Sequence, residues 1–291
     1  MVKMSIEKLI IITGIPRSGT TIIGEVLGQV KGTDYIYEPF NQITGLKEVN
    51  EYFEIHSKTK SVDLTTSFTD DLYKLKLKFK KNFYPEDTAL KKIIKKLGFT
   101  RNNISYLRCK FLTRPEKLIV KDPFLYFLKD YFDENIKIIV TERTTEQIAA
   151  SFKRMNWSFN VNKINEKLKS TGKNFISDIH TFDSSNSAIN GALLDKLAKI
   201  NRRTSPNIYY VSMNDLIDDF TEGYRKIFSF IGLDFDNEIS EYILKRNSEK
   251  ASVYSNNKAH SRKRNVKSLN SYWKKILNEE EVSVIERIKR L

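Results

Sequence analysis

Eight consecutive residues, Gly14-Ile15-Pro16-Arg17-Ser18-Gly19-Thr20-Thr21, bring together two glycines, one cation and three hydroxyls directly after an aliphatic run. In a loop that opens a helix, such residues make an anion cradle. Backbone N–H groups converge on the ligand, and the helix N-terminus adds partial positive charge behind them. The two glycines keep the four-residue interval of a Walker A loop, yet Thr20 stands where that pattern needs lysine. A nucleoside triphosphate depends on that lysine, so the loop points to phosphate binding without ATP hydrolysis. Its own cation, Arg17, lies inside the loop.

A strand and a helix must hold this loop. Lys8–Thr13 is a short aliphatic run bounded by Gly14 and reads as a buried parallel strand, and apolar residues at helical spacing follow from Thr20 to Val30. Residues 34–37 read as a second strand ending at Glu38-Pro39, and a residue before proline is biased to extended geometry. Strands are expected at Lys117–Lys121, 136–141 and 208–211, with helices from Phe124, over 144–155, near 188–203, over 215–231 and over 277–291. Residues 43–112 form a lysine-rich, mostly helical insertion, within which 73–80 alternates apolar residues with lysine and suits either a strand or a helix. The stretch 159–187 is polar without a clear period, and 247–271, rich in Ser, Asn, Lys and Arg, reads as a mobile loop. Five strands alternating with helices predict one α/β domain over 1–291: a central parallel sheet, P-loop NTPase-like, with helices on both faces and its loops gathered at the strand C-termini.

Pro16-Arg17-Ser18-Gly19-Thr20-Thr21 resembles the 5′-phosphosulfate loop of sulfotransferases that use 3′-phosphoadenosine 5′-phosphosulfate (PAPS) and release adenosine 3′,5′-bisphosphate (PAP). A second element resembles the same family. Arg143 closes the fourth strand and Ser151 follows eight positions later, the spacing at which the family holds the 3′-phosphate. Physically, Arg offers a fork of donors to a phosphate, and a serine two helical turns on supplements it where the helix runs past the ligand. The family commonly continues Arg-Asp-Pro-Arg; here Thr144-Thr145-Glu146 follows Arg143. Tyr37-Glu38-Pro39-Phe40 is similar to an element of carbohydrate sulfotransferases, and Lys121-Asp122-Pro123-Phe124 to one shared by carbohydrate and tyrosylprotein members. The resemblance implies that Arg17 stabilises the leaving oxygens and that Glu38 is the general base, which would contribute about 10²–10⁴-fold if its pKa is lifted toward neutrality. Lys121, at the end of the third strand, is a candidate to neutralise the transferring sulfonate instead, with Asp122 orienting it, and the resemblance implies that Arg262-Lys263-Arg264 closes over the 3′-phosphate. Two simpler alternatives stand beside these roles: Glu38 only pairs with a lysine, and Arg262-Lys263-Arg264 is a solvated charge run.

Composition narrows the field. The 291 residues carry 50 Lys+Arg against 36 Asp+Glu, a formal net charge of +14, with 40% hydrophobic residues. Such a chain buries a core without disulfides or a structural metal. One cysteine, Cys109, excludes a disulfide framework within the chain, and three histidines at 56, 180 and 260 offer no zinc-ligand spacing. The longest aliphatic run, 9–12, is too short for a membrane span or a signal peptide, which predicts a cytoplasmic protein. The acceptor expected is a hydroxyl on a carbohydrate, glycolipid or small glycoside, since no histidine stands where phenol and steroid sulfotransferases place their base. The lysines around 74–96 are read as lining an anionic acceptor's path. The competing readings are a tyrosylprotein acceptor, a P-loop kinase, and a basic nucleic-acid or polyanion-binding module. The last lacks any recognition-helix, zinc-finger or aromatic RNA-binding signature, so no specific nucleic acid is expected.

Overall fold

A computed structural model of the chain describes residues 6–248 and 271–291. Arg262, Lys263 and Arg264 therefore lie outside the described residues, as does nearly all of the expected 247–271 loop. Five strands form one parallel sheet in the order β2-β3-β1-β4-β5, with helices flanking it. The described residues group into two compact units, one made of 6–16, 20–140 and 204–209 and the other of 17–19, 141–203, 210–248 and 271–291.

In the first unit β1 (Lys8–Thr13), α1 (Thr20–Leu27), β2 (Thr33–Tyr37) and β3 (Lys117–Lys121) make the sheet's first half. Ile12 of β1 and Tyr37 of β2 both lie opposite Lys121, so the three strands finish level with one another. Ile10, Ile11 and Ile12 are fully buried, as continuous aliphatic strands in a two-sided parallel sheet must be. Between β2 and β3 come α2 (Lys58–Tyr73), α3 (Ala89–Lys96), α4 (Arg101–Arg108) and a π turn, Cys109–Thr113. The ambiguous 73–80 stretch leaves α2 and runs irregularly, with Leu75, Leu77 and Phe79 buried and Lys76 and Lys78 exposed, a period of two. It makes only a single antiparallel bridge, Leu46 to Phe79, and no ladder. The helix expected from Phe124 is a 3-10 helix, Pro123–Tyr131. Its residues from Pro123 through Lys129 are all buried, so the segment presents no polar face of the kind an amphipathic α-helix carries.

β4 (Lys137–Glu142), whose last two residues begin the second unit's main stretch, leads into α5 (Thr145–Met155), which opens on a capping box between Thr144 and Gln147 and closes on Asn156 in the left-handed region. The polar stretch holds a helix that the sequence reading passed over, α6 (Val161–Ser170). It buries Val161, Ile164 and Leu168 and is capped by Asn160. After it come α7 (Ser187–Ile200) and β5 (Ile208–Ser212). The single helix expected over 215–231 is two, α8 (Met213–Asp218) and α9 (Phe220–Ile231). Asp219 is extended between them, and its side chain caps α9. Two further helices, α10 (Asn237–Ser248), also not anticipated, and α11 (Glu279–Arg290), complete the unit.

Helices α5 and α7 meet at Gly191, where an added Cβ would lie 2.7 Å from Cγ of Phe152, itself fully buried. Replacing Gly191 with alanine should therefore cost about 1–3 kcal/mol by overpacking, seen as a lower urea midpoint at unchanged slope.

Candidate active site

The loop after β1 folds as the sequence predicts, and the reason lies in its backbone. Gly14, Arg17 and Gly19 all have positive φ, at 140°, 76° and 120°. Glycine adopts that region freely, whereas arginine does so at a cost, a form of strain that gathers at functional sites. At Gly19 the restriction is also steric, because an added Cβ would fall 2.7 Å from Cγ and Sδ of Met213. Ser18 and Thr141 are both buried and share a hydroxyl–hydroxyl bond of 2.6 Å, which ties the loop to the end of β4. Arg17 donates from Nε to Oγ of Ser151 at 2.8 Å, and its guanidinium lies 5.7 Å from the Trp157 ring centroid. Ser151 thus stands against Arg17, a pairing that the eight-residue spacing from Arg143 does not announce. Arg143 itself is half-buried, immediately before the Thr144 cap of α5. Pro16 and Thr20 are buried and Thr21 is half-buried at the first turn of α1. The donors and glycines of this loop fit a phosphate.

A separate cluster closes β2 and β3. Glu38 accepts from Lys121 Nζ at 2.6 Å, with side chains 14% and 5% exposed, so this is a buried ion pair. Asn41 Nδ2 reaches the other Glu38 oxygen at 3.4 Å, and the ammonium lies 4.5 Å from the Tyr37 ring centroid. Instead of the extended geometry expected before proline, Glu38 has φ 41°. Its N–H still bonds the Lys121 carbonyl at 2.8 Å, and Asn102 Nδ2 donates to its carbonyl at 2.7 Å, so the left-handed turn is held from both sides. The lift toward neutrality that would make Glu38 a strong base is not found. Burial pushes the carboxyl up, but the Lys121 charge, with hydrogen bonds from Lys121, Tyr37 and Asn41, outweighs it and holds Glu38 below the usual 4.5.

Asp122 is fully buried, and its two oxygens accept from the backbone N–H groups of Phe40 and Phe124, the latter at 2.8 Å. It thereby pins the turn after β2 to the turn after β3; its recorded side-chain bonds go to backbone amides and not to Lys121. Burial first, and the Glu38 charge second, push its carboxyl up to about 8 against those two amides. Thr141, Trp157, Asn41 and Asn102 are the partners that sequence reasoning missed. Thr141 was within reach of it, two residues before Arg143 in the same motif; the other three carry no local signal. Among the described residues no group of three or more His, Cys, Asp or Glu is placed to hold a metal ion, and no helix is long and apolar enough to cross a membrane.

Residues 7–290 match the family model of the sulfotransferase domain, and the chain belongs to that family. It is a sulfotransferase. Among solved structures it is similar to mouse sulfotransferase SULT7A1 complexed with PAP, at 13% identity over 97% of this chain and 83% of that one, TM-score 0.48. Retinol dehydratase in a complex with retinol and PAP shares 14% identity over 98% of this chain and 80% of its own, TM-score 0.47. The sulfotransferase domain from the curacin biosynthetic pathway shares 14% over 98% of each, TM-score 0.44. No individually curated protein matches the chain.

Breaking a buried ion pair from one side leaves an uncompensated charge, so Lys121→Met should lower stability by about 3–5 kcal/mol. The pH profile should change as well. In the native chain Glu38 contributes stability that is full above pH 4.5 and is lost as pH falls through its lowered folded value. Without Lys121, only the Tyr37 and Asn41 hydrogen bonds oppose burial, so the carboxyl should rise from its native value and the variant should lose much of this acid-side dependence. Urea midpoints across pH 3–9 for both proteins measure this; parallel profiles would contradict the assignment.

Proposed function

We propose that the chain moves a sulfonate group from PAPS to a hydroxyl of a carbohydrate, glycolipid or small glycoside, releasing PAP. The observation that carries the reading is Arg17, held in the left-handed region within a glycine-bounded loop and aimed by Ser151 and Trp157. PAPS, when bound, supplies the electrophilic sulfur and a stable phosphate leaving group. Pro16, Arg17, Ser18, Gly19, Thr20 and Thr21 hold its 5′-phosphate, the loop through backbone N–H groups and Arg17 through charge on the leaving oxygens. Arg143, with Ser151 on α5, holds the 3′-phosphate. Arg262 and Lys263 add cations to the same phosphate in this reading. Catalysis rests on positioning and fixed cations, with no metal required.

Glu38 takes the proton of the acceptor hydroxyl. With Lys121 against it the carboxylate is a weak base, so the two residues work in exchange. When Lys121 turns its ammonium to the sulfonate oxygens, the largest influence opposing burial is withdrawn from Glu38 and its basicity rises. That Arg17 and Glu38 serve one reaction is supported by the resemblance of both elements to a single family and by each following the C-terminal end of a strand. The carbohydrate acceptor is favoured by the Glu38-Pro39 element, and a tyrosine hydroxyl on a protein is the variant that Lys121-Asp122-Pro123-Phe124 keeps in view. The buried, unpaired thiol of Cys109 agrees with a cytoplasmic setting.

Radiolabelled PAPS offered with a panel of sugars, glycolipids, phenols and tyrosine peptides tests the reading. Label should pass to a sugar hydroxyl. Arg17→Ala should lower kcat by about 10²–10³-fold, and Glu38→Gln by about 10²–10⁴-fold with little change in KM. Transfer to phenols alone, or full activity in Glu38→Gln, would contradict it.

A further inference from the structure

Residues 74–114 hold thirteen Lys and Arg against only two acidic residues, Glu86 and Asp87, so most of the chain's net charge of +14 is gathered there. Within that segment α3 is mounted the wrong way round for a globular protein. Leu90, Ile93, Ile94 and Leu97 fall at positions i, i+3, i+4 and i+7, one face of the helix and its C-cap. A stripe of that kind ordinarily faces a core. Here its members are 69%, 59%, 40% and 65% exposed, α3 buries no residue at all, and Phe99 just beyond it is 55% exposed. The protein side of the helix is made by lysines instead. Lys92 and Lys96 lie 5.3 and 5.6 Å from the Phe83 ring centroid, and Lys95 lies 4.7 Å from that of Tyr84 while pairing with Asp87. Lys81 and Lys91 are exposed as well, and so is Lys96 in spite of its ring contact.

We propose that this face binds an anionic lipid surface, with Leu90, Ile93, Ile94, Leu97 and Phe99 entering the headgroup boundary and the surrounding lysines meeting lipid phosphates and carboxylates. Apolar area and cationic charge presented together are what interfacial helices use, each contributing to binding. Charge decides among the possible occupants. A second copy of the chain would set two such cationic segments against each other, a like-charge contact that opposes association. A nucleic acid would engage the lysines and leave the apolar stripe in water. The lysines around 74–96 then serve to dock the enzyme instead of lining an acceptor's path.

Co-sedimentation of the full chain with vesicles tests this, using phosphatidylcholine with roughly one-third phosphatidylserine against phosphatidylcholine alone. The wild type should bind the anionic vesicles roughly tenfold or more tightly than the neutral ones. Two double variants at exposed positions separate the contributions, Ile93→Ser with Leu97→Ser, and Lys91→Glu with Lys96→Glu, with circular dichroism confirming that each stays folded. Each should lose binding by roughly tenfold or more. The proposal is overturned if the wild type stays in the supernatant. It is equally overturned if the serine variant binds as well as the wild type, or if sedimentation velocity shows a dimer that the serine variant dissolves while vesicles recruit neither protein.

Discussion

A lysine ammonium buried at the end of β3 is the constraint around which the first unit is arranged. Lys121 is level with the ends of β1 and β2 and 5% exposed, in an aliphatic sheet that offers it no solvent. A charge in that place has to be paired and hydrogen-bonded or it would be lost by deprotonation. Glu38 supplies the pairing, and doing so requires the left-handed backbone that a residue before proline ordinarily avoids. Asn102 and Asn41 secure that turn, and Asp122 ties it to the next through two backbone amides. An apolar core of similar volume would be at least as stable. The charges are retained at a strand end, the place where α/β sheets hold their ligands.

Residues 17–19 of the loop after β1 are arranged on the same logic in the second unit. Each of these residues is held by protein contacts: Ser18 by Thr141, Arg17 by Ser151 and Trp157, Gly19 by the bulk of Met213. Fixed donors need little reorganisation when charge develops near them, which is where electrostatic catalysis draws its strength. The strain in the Arg17 backbone is the counterpart of that fixity.

How much of this was legible in the sequence differs from residue to residue. β1 and the first turn of α1 were readable because an aliphatic run meets a dense group of Gly, Ser and Thr, all local signals. The Arg17–Ser151 bond was not, because the two residues are 134 positions apart and only the fold brings them together. For Glu38, residue type and place suggested a base, but its protonation depends on Lys121, 83 positions away. α3 shows the same limit in another form. Periodicity reveals which side of a helix is apolar; only the fold shows that this side is turned to water. In α6, by contrast, Val161, Ile164 and Leu168 were visible at helical spacing behind an Asn cap, and the polar residues between them masked the pattern.

The central claim is that the loop after β1 and the residues after β4 hold a 3′,5′-bisphosphate and not a triphosphate. Calorimetric titration with PAP and with ATP·Mg²⁺, on the wild type and on Arg143→Ala, tests it most directly. The account predicts tight binding of PAP, weak binding of ATP·Mg²⁺, and loss of that preference in Arg143→Ala. Preference for ATP·Mg²⁺, or undiminished PAP binding in the variant, would contradict it.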